Sequence, residues 1–343
     1  MKIVTASFGD YFSKNWGDLW SECVTQDPLY GTCNLNYYKA YWRTRSFIDL
    51  SFVVASPTQP ILGVLLTVNR DDNGLCQLSA YGQPIHFLEN SKVTDKDRKQ
   101  AYKLLKQKLK ETFEQEAPNQ IIYRDYLERG KLSPLSKMLM DMGAKAEPVF
   151  IQMIDLYRET SLIRSDLNKT YKWNVNWGEK NLDIQILDNS NVVDKDIEEF
   201  RCLHVAAAGR ETRSKDSWRA QFEMVQNNEA FIVFGRLSDR LVTAALFSFS
   251  RDVCVYGVSA SDRELFDKPL SHILLWRAIC TAKNLGCSSF ECGEVFFLEQ
   301  TIPAPEKKVL GISRFKRNFG GDISQRLSVV WSTNINANKK IIR

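Results

Sequence analysis

The stretch GISRFKRNFGG, residues 311 to 321, gathers side chains suited to binding negative charge. Arg314, Lys316 and Arg317 surround one aromatic residue, and a second aromatic residue and two glycines follow them. One interpretation is a helix end, because cations favour the negative end of a helix dipole and Gly320 supplies a left-handed cap. The other is a site for an anion or a polarised carbonyl. We expect capping by the glycines and function for Lys316; both interpretations stay open for Arg314 and Arg317.

A second dense group of polar side chains lies in HVAAAGRETRSKDSW, residues 204 to 218. Gly209 breaks a helix here and presents Arg210 and Arg213 beside His204. Arginine has a rigid fork that matches carboxylate or phosphate oxygens, so both arginines are candidates for substrate binding. The alternative is a loop between helices whose arginines are solvated or paired with acidic neighbours. His204 is a candidate base because its pKa lies near neutrality, with a structural histidine as the alternative.

Two further candidates lie on predicted strands. Glu294 lies near the end of the strand segment ECGEV, where a carboxylate is either paired with a cation or raised in pKa so that it can act as a base. We rank Glu294 first among the candidate bases. Tyr256, in VCVYGVSA, is either a core aromatic residue or a hydroxyl donor to a substrate carbonyl.

Several classes of site are excluded by the sequence patterns. Three scattered histidines and cysteines without a CxxC pair give no metal-ligand spacing. The chain has neither a P-loop nor a GxGxxG motif, and the GxSxG elbow of hydrolases is also missing. The sequence therefore predicts no metal site and no permanently bound cofactor.

The bulk properties indicate a globular protein with two domains. The chain has 343 residues, of which 44% are hydrophobic, and this is more than one core usually organises. The net charge of +5 permits an anionic partner without requiring nucleic acid, and we expect no DNA partner. No apolar run approaches the roughly 18 residues of a membrane span, and no signal peptide is recognisable, which predicts a cytoplasmic protein with eight reduced, mostly buried cysteines.

The first half of the chain has a clear order of predicted elements. Strands at 50 to 55, 61 to 69 and 75 to 82 form a meander, because the turn-forming segments SPTQP and RDDNG separate them. A helix at 94 to 116 follows, with an apolar residue at every fourth position and a capping box from Thr94 to Asp97. A strand, a short helix and a closing strand complete this half.

The second half repeats that order, with strands at 230 to 237, 241 to 250 and 253 to 260 and then a helix from Pro269 to Gly286. A strand, a helix and a final strand follow. The repetition predicts an α+β protein made of two duplicated domains. We place them at 1 to 157 and 188 to 343, joined by a basic segment at 158 to 187, with the active site in the second domain.

This order resembles the GNAT acyltransferase fold, and two such units in tandem resemble the FemABX aminoacyltransferase-like family. FKRNFGG, residues 315 to 321, is similar to the FKxxFGG pattern near the C-terminus of that family, and HILLWRAICTAKNLGCSSFECGE resembles its helix, glycine and strand segment. SLIRSDLNKTYK resembles the basic helix that joins the halves. By position, the resemblance implies that Phe315 and Lys316 lie near the donor or the scissile ester. The coiled-coil arm of many members has no counterpart in this sequence.

The resemblance also implies a choice of acyl donor. Family members transfer an amino acid from aminoacyl-tRNA to a peptidoglycan precursor, and related double-GNAT proteins use an acyl thioester. His272 falls where an acyl-CoA-dependent GNAT protein carries its Gly-rich pyrophosphate loop, but that segment, SASDRELFDKPLSH, contains no glycine. QPIHFLENSKVTD in the first half lacks glycines too. We therefore favour aminoacyl-tRNA over coenzyme A, with His272, Phe315 and Arg314 as substrate-binding candidates.

The predicted function is an N-acyltransferase that moves an activated acyl group to an amine of a cell-envelope precursor, such as a peptidoglycan peptide or a surface-polysaccharide amino sugar. In this prediction Lys316 stabilises negative charge, and Glu294 or the substrate takes the proton. The alternatives are an acyl-CoA-dependent acetyltransferase of a nucleotide- or lipid-linked amino sugar, and a non-catalytic GNAT-like protein that binds a charged ligand or RNA.

Overall fold

In a computed structural model, the structure describes residues 1 to 71, 74 to 300 and 304 to 333. The described residues form fifteen strands and ten α-helices, with short 3-10 turns between some of them. The strands are β1 Lys2–Thr5, β2 Phe47–Asp49, β3 Phe52–Ala55, β4 Pro60–Leu65, β5 Thr67–Arg70, β6 Cys76–Ser79, β7 His86–Glu89, β8 Gln120–Asp125, β9 Lys145–Asp155, β10 Asp183–Leu187, β11 Ala230–Leu237, β12 Arg240–Phe249, β13 Val253–Ser261, β14 Ser289–Val295 and β15 Asp322–Ser332. The helices are α1 Asp10–Glu22, α2 Thr32–Tyr41, α3 Asp95–Glu116, α4 Pro134–Asp141, α5 Thr160–Asp166, α6 Lys169–Asn181, α7 Asp194–Ala208, α8 Lys215–Gln226, α9 Leu270–Asn284 and α10 Lys307–Arg317.

The chain divides into two compact units that interleave along the sequence. Unit 1 contains residues 1 to 26, 42 to 149 and 325 to 343, and unit 2 contains residues 27 to 41 and 150 to 324. The sequence-based boundaries, at 157 and 187, divide the chain consecutively instead. The basic segment at 158 to 187 lies entirely within unit 2 and forms α5, α6 and β10.

Unit 1 contains two groups of paired strands. In the first, β1, β3, β4 and β7 pair antiparallel in that order. In the second, the order is β2, β5, β6, β8 and β15, and only the β6 and β8 pair is parallel. Helix α3 makes the crossover between these two parallel strands, and it buries Ala101, Leu105 and Leu109 as its four-residue spacing predicts. Its N-cap Thr94 accepts a hydrogen bond from the backbone N–H of Asp97, which confirms the predicted cap.

The predicted single strand at 61 to 69 is wrong, because the chain changes sheet at Leu66. The Ser51 hydroxyl accepts a hydrogen bond from Leu66 N at 3.0 Å and donates to Leu66 O at 3.3 Å. This side chain bonds both backbone groups of Leu66, whose carbonyl oxygen also accepts a hydrogen bond from Leu50 N at 2.9 Å. The three predicted strands are therefore not one meander: β3 pairs with β4, whereas β5 pairs with β6.

Unit 2 contains a six-stranded sheet in the order β10, β11, β12, β13, β14 and β9. All neighbours are antiparallel except β13 and β14, which are parallel and are joined through α9. One core packs α9 and α6 against the sheet around Phe247 and Phe290, and a second core packs α7 and α8 around Phe200. Each unit thus has a parallel strand pair with a crossover helix, which agrees with the predicted α+β duplication.

Helix α2 belongs to unit 2 although its sequence lies in the first half of the chain. It packs against α8, and the Glu229 carboxylate accepts a hydrogen bond from the backbone N–H of Cys33 at 3.0 Å. A carboxylate at a helix N-terminus satisfies a donor that has no intrahelical partner. This long-range contact helps to explain why the unit boundary does not follow the sequence halves.

All eight cysteines are free thiols, and six of them are buried. Cys202 is exposed and Cys280 is half-buried. The prediction that the cysteines are mostly buried is confirmed.

Candidate functional site

The site begins where the two parallel strands of unit 2 separate. Strand β13 pairs with β14 only from Val253 to Val255, opposite Ser289 to Glu291. Beyond these residues both strands lose register with their other neighbours, β13 between positions 256 and 259 and β14 at Cys292. Such bulges bend a strand and increase its twist, so the two strands diverge. The next residue on each strand, Tyr256 and Cys292, faces the opening.

Helix α10 provides the third wall of the opening. The resulting cavity has a volume of about 330 Å³. Its lining residues come from three elements: Tyr256, Gly257 and Ser259 of β13, Cys292 of β14, and Ile312, Phe315 and Lys316 of α10. Three of the residues singled out in the sequence, Tyr256, Phe315 and Lys316, therefore lie together in one cavity.

Lys316 is the basic residue of this cavity, and it lies where the two strands separate. Its Nζ donates a hydrogen bond to the backbone carbonyl of Glu294 at 2.9 Å. Burial lowers the pKa of Lys316, and the neighbouring Cys292, Glu294 and Glu291 act in the opposite direction. The amine is thus held beside a neutral acceptor, in surroundings that favour its uncharged form more than water does.

Gly293 makes room for the lysine. Its φ is +98°, and a Cβ built at this position would lie 2.8 Å from Lys316 Nζ. Any other residue would have to adopt an unfavourable positive φ, and its Cβ would crowd the Lys316 amine. The positive φ and the nearby amine therefore explain why residue 293 is a glycine, which the spacing of residues in the sequence did not reveal.

A pair of hydroxyl groups lies on the β13 side of the cavity. The Tyr256 hydroxyl donates to Ser259 Oγ at 2.9 Å, and burial raises the pKa of Tyr256. Tyr256 also stacks on Phe247 with a centroid separation of 5.4 Å. It is therefore an aromatic residue packed on the core that also lines the cavity, and its role as a hydroxyl donor to a substrate carbonyl stays a prediction.

Phe315 is supported by a cluster of rings beside the cavity. Its ring lies 5.8 Å from Tyr171, 5.2 Å from His272 and 5.2 Å from Phe319, between centroids. His272 lies in this cluster, where Nε2 accepts a hydrogen bond from the Asn174 amide at 3.0 Å. Burial lowers the pKa of His272 to about 4. His272 is thus a neutral ring behind Phe315, and it is not among the residues that line the cavity.

The other cations of the motif occupy different positions. Arg314 is exposed on α10. The Arg317 guanidinium lies over the Phe297 ring, 5.0 Å from its centroid. Gly320 and Gly321 both have left-handed φ values, +81° and +77°, after the C-cap Asn318, as expected for glycines that end a helix.

Glu294 reaches the site through its backbone. Its carbonyl oxygen holds Lys316, while its side chain is half-buried and is not among the groups lining the cavity. The role of Glu294 as the base stays a prediction.

His204 and Arg213 form a separate cluster in unit 2, on α7 and just before α8. Arg213 Nη1 donates to His204 Nε2 at 2.9 Å, and Arg213 Nε donates to the Tyr37 hydroxyl at 3.1 Å. Burial and the adjacent arginine lower the pKa of His204. Arg210 is exposed in the loop after α7. These three residues are not part of the cavity around Lys316.

Sequence reasoning missed four cavity residues, Gly257, Ser259, Cys292 and Ile312. Their types carry no motif, since a cysteine in a strand and an isoleucine in a helix both look like core residues. Ile312 had one usable signal: it precedes Lys316 by four residues, so the two share a face of α10.

Within the described ranges, no group of three or more His, Cys, Asp or Glu residues is arranged to hold a metal ion. The helices in those ranges include none that combines the length and apolar character needed to span a bilayer.

Comparison with known proteins identifies the fold. The crystal structure of FemX superposes with a TM-score of 0.68 at 14% sequence identity, over 96% of this chain and 97% of that one. The chain has the tandem GNAT fold of the FemX type. The resemblance to FemABX-like proteins is thereby confirmed at the level of fold.

Other solved structures also match this tandem GNAT protein over most of its length. A tandem GNAT protein from the clavulanic acid biosynthesis pathway has a TM-score of 0.53 at 14% identity, over 97% of this chain and 98% of that one. L-PGS from Bacillus licheniformis has a TM-score of 0.55 at 10% identity, over 89% and 94%. No protein-family model and no curated protein sequence matches the chain.

Proposed function

We propose that this tandem GNAT protein is an N-acyltransferase that transfers an activated acyl group, most readily an aminoacyl ester, to an amine of a cell-envelope precursor in the cytoplasm. The observation that carries the proposal is the cavity at the divergence of β13 and β14, with Lys316 among its lining residues. At an opening between two strands, the carbonyl of an acyl donor can contact both exposed backbone groups and a side-chain hydrogen-bond donor. Acyl transfer needs such donors where the oxyanion develops.

In the proposed reaction, the neutral acceptor amine attacks the donor carbonyl carbon. The Lys316 ammonium donates a hydrogen bond to the carbonyl oxygen as negative charge develops there. The bond to the leaving oxygen then breaks, and the proton lost by the amine passes to the leaving alcohol. The Tyr256 and Ser259 hydroxyls, joined at 2.9 Å, provide a relay for that proton, and Glu294 stays the candidate side-chain base.

The start of α9 favours an ester donor over coenzyme A. A pyrophosphate at a helix N-terminus needs free backbone N–H groups and a close approach of the chain. Here the N-cap is Pro269, which has no N–H, and the N–H of Leu270 is already bonded to Lys268 O at 2.9 Å. The preceding loop carries three carboxylates, Asp262, Glu264 and Asp267, against two cations, Arg263 and Lys268, so it offers no excess of positive charge to a pyrophosphate.

The proposed acceptor site lies at the arginines near His204. Precursors linked to a nucleotide or a lipid carry phosphates, and Arg210 and Arg213 stay the candidates for binding them. Arg213 would have to share its guanidinium between His204, Tyr37 and the ligand.

The experiment offers the full chain a mixture of charged tRNAs, acetyl-CoA, and UDP-linked muropeptide or amino-sugar precursors in separate combinations. Mass gain on the precursor is followed by mass spectrometry. Wild-type protein should modify a precursor with charged tRNA, and Lys316→Ala should lose about 10²- to 10³-fold in rate, as removal of an oxyanion donor does. Lys308→Ala, on the exposed face of the same helix, is the matched control.

Two results would oppose the proposal. Wild-type turnover by a folded Lys316→Ala variant would remove the role of Lys316. Acetylation of an amino sugar with acetyl-CoA alone, without use of any charged tRNA, would identify the acyl-CoA-dependent alternative instead.

A further inference from the structure

Lys316 is an amine placed inside a cavity proposed to receive an activated carbonyl. Lys316 lines the cavity together with Cys292 and Phe315, and its Nζ is bonded to the backbone carbonyl of Glu294 at 2.9 Å. The same position that lets an ammonium polarise a carbonyl lets a neutral amine attack it. Whether Lys316 donates a hydrogen bond or forms a covalent bond therefore depends on its protonation state.

The surroundings of Lys316 make the neutral state accessible. The hydrogen-bond acceptor of Nζ is the uncharged carbonyl of Glu294, which can hold an amine as well as an ammonium. The ionisable groups that face it are Cys292, Glu291 and Glu294 of β14, with Tyr256 of β13 across the cavity. Burial outweighs their influence and lowers the pKa of Lys316.

We propose that Lys316 is itself an acyl acceptor, so that the protein acylates its own cavity when an activated acyl donor binds without an acceptor amine. The Nζ lone pair attacks the carbonyl carbon of an ester or thioester. The carbon–oxygen or carbon–sulfur bond breaks, and the leaving alcohol or thiol takes the proton that Nζ loses. The product is an Nε-acyl-lysine amide. This inference rests on the proposed function, because it uses the same donor site.

Self-acylation would have a direct consequence for the protein. The amide has no positive charge and adds the acyl group to a cavity of about 330 Å³. Both the oxyanion donor and part of the donor site would then be lost. Self-acylation therefore inactivates the protein, and the presence of an acceptor amine protects it.

The test uses a donor that carries no nucleotide, S-acetyl-N-acetylcysteamine, with the full chain at pH 7.5 and peptide mass spectrometry of every lysine. Lys308 is the internal reference, because it is exposed on the same helix. A thioester held in the cavity reacts at a high effective concentration, so acetylation of Lys316 should be about tenfold or more faster than that of Lys308. It should also saturate with donor concentration, whereas acetylation of Lys308 should stay linear.

Two variants sharpen the result. Gly293→Ala places a Cβ 2.8 Å from Lys316 Nζ, so the amine has to move, and the variant should abolish the saturable phase. Tyr256→Phe keeps the ring and removes the hydroxyl, so it is informative if Gly293→Ala does not fold; it should slow acetylation of Lys316 and leave Lys308 unchanged. Acetylation of Lys316 that is linear and no faster than that of Lys308 would overturn the inference.

The inference and the proposed function fail separately. Saturable acylation of Lys316 without modification of any precursor supports the inference and opposes the proposed acceptor. The opposite result has two parts: the protein modifies a precursor that is present, and Lys316 stays unmodified when the precursor is withheld. That result overturns the inference and leaves the proposed function intact.

Discussion

The side chain of Lys316 is tied to the backbone of Glu294 by a hydrogen bond of 2.9 Å from Nζ to the carbonyl oxygen. This contact connects the last turn of α10 to β14, just past the point where β14 leaves its parallel partner. The orientation of the Lys316 side chain thus depends on the backbone where the strands diverge. A substitution that changes this backbone should therefore change the position of the amine and the activity.

Gly293→Ala tests this dependence. The alanine would adopt an unfavourable positive φ and would crowd Lys316 Nζ, so we expect a loss of about 1–2 kcal/mol in the free energy of unfolding. Urea denaturation measures the loss, and the precursor assay should show reduced activity at full folding. Gly311→Ala is the control, because Gly311 lies in α10 with nothing within 4 Å of a new Cβ. An equal response of the two variants would contradict the role of Gly293.

Phe319→Ala tests the ring cluster that supports Phe315. Phe319 is fully buried and contacts Tyr171 and Phe315. Removal of a buried phenylalanine side chain should cost about 3–5 kcal/mol in the free energy of unfolding. Phe266→Ala, at a ring that is 69% exposed, should change it by less than about 0.5 kcal/mol. Chemical denaturation of both variants makes the comparison, and similar midpoints would show that the cluster is not a stabilising core.

His272 should make stability depend on pH. Burial lowers its folded-state pKa from 6.5 to about 4, so between these values the unfolded state binds more protons. The free energy of unfolding should therefore fall as the pH decreases through this window, by at most about 3 kcal/mol from this residue.

The matched measurement compares wild-type protein with His272→Gln in urea at a series of pH values. Glutamine keeps a polar group near Asn174 but does not titrate in this range. The stability of the wild type relative to the variant should decrease as the pH falls. A difference that stays constant across the series would show that the histidine titrates normally in the folded protein.

Arg213→Ala tests whether this residue stabilises the cluster on α2 and α7. The change removes hydrogen bonds to Tyr37 and His204 and should cost about 1–3 kcal/mol in the free energy of unfolding. Arg210→Ala, at an exposed arginine, should have an effect within about 0.5 kcal/mol. Thermal denaturation with and without a UDP-linked precursor then separates a structural role from a binding role. Only the substitution of a residue that binds the precursor should reduce the rise in melting temperature that the precursor gives.

Much of the fold followed from local patterns in the sequence. Strand β11 begins and ends where its apolar run predicts, at Ala230 and Leu237, and α3 begins after the capping threonine. These features depend on residues that are close in sequence. The order of elements around each crossover helix was enough to indicate the tandem GNAT fold.

The features that failed or could not be foreseen depend on distant contacts. At the break, Leu66 bonds a hydroxyl fifteen residues away in sequence, and α2 in unit 2 is bonded to Glu229, 196 residues from Cys33. Local propensity contains no information about such partners.

By itself, the sequence determined the α+β duplication, the glycines that follow the end of α10 and the choice of Lys316 and Phe315 as candidate site residues, because periodicity, capping and a short motif are local. Only the tertiary structure decided that Tyr256 and Cys292 meet Lys316, that His272 supports Phe315 from behind, and that His204 and Arg213 lie elsewhere in unit 2. The physical reason is that the cavity exists where two paired strands diverge at bulges, and both pairing and divergence are set by residues far apart in the chain.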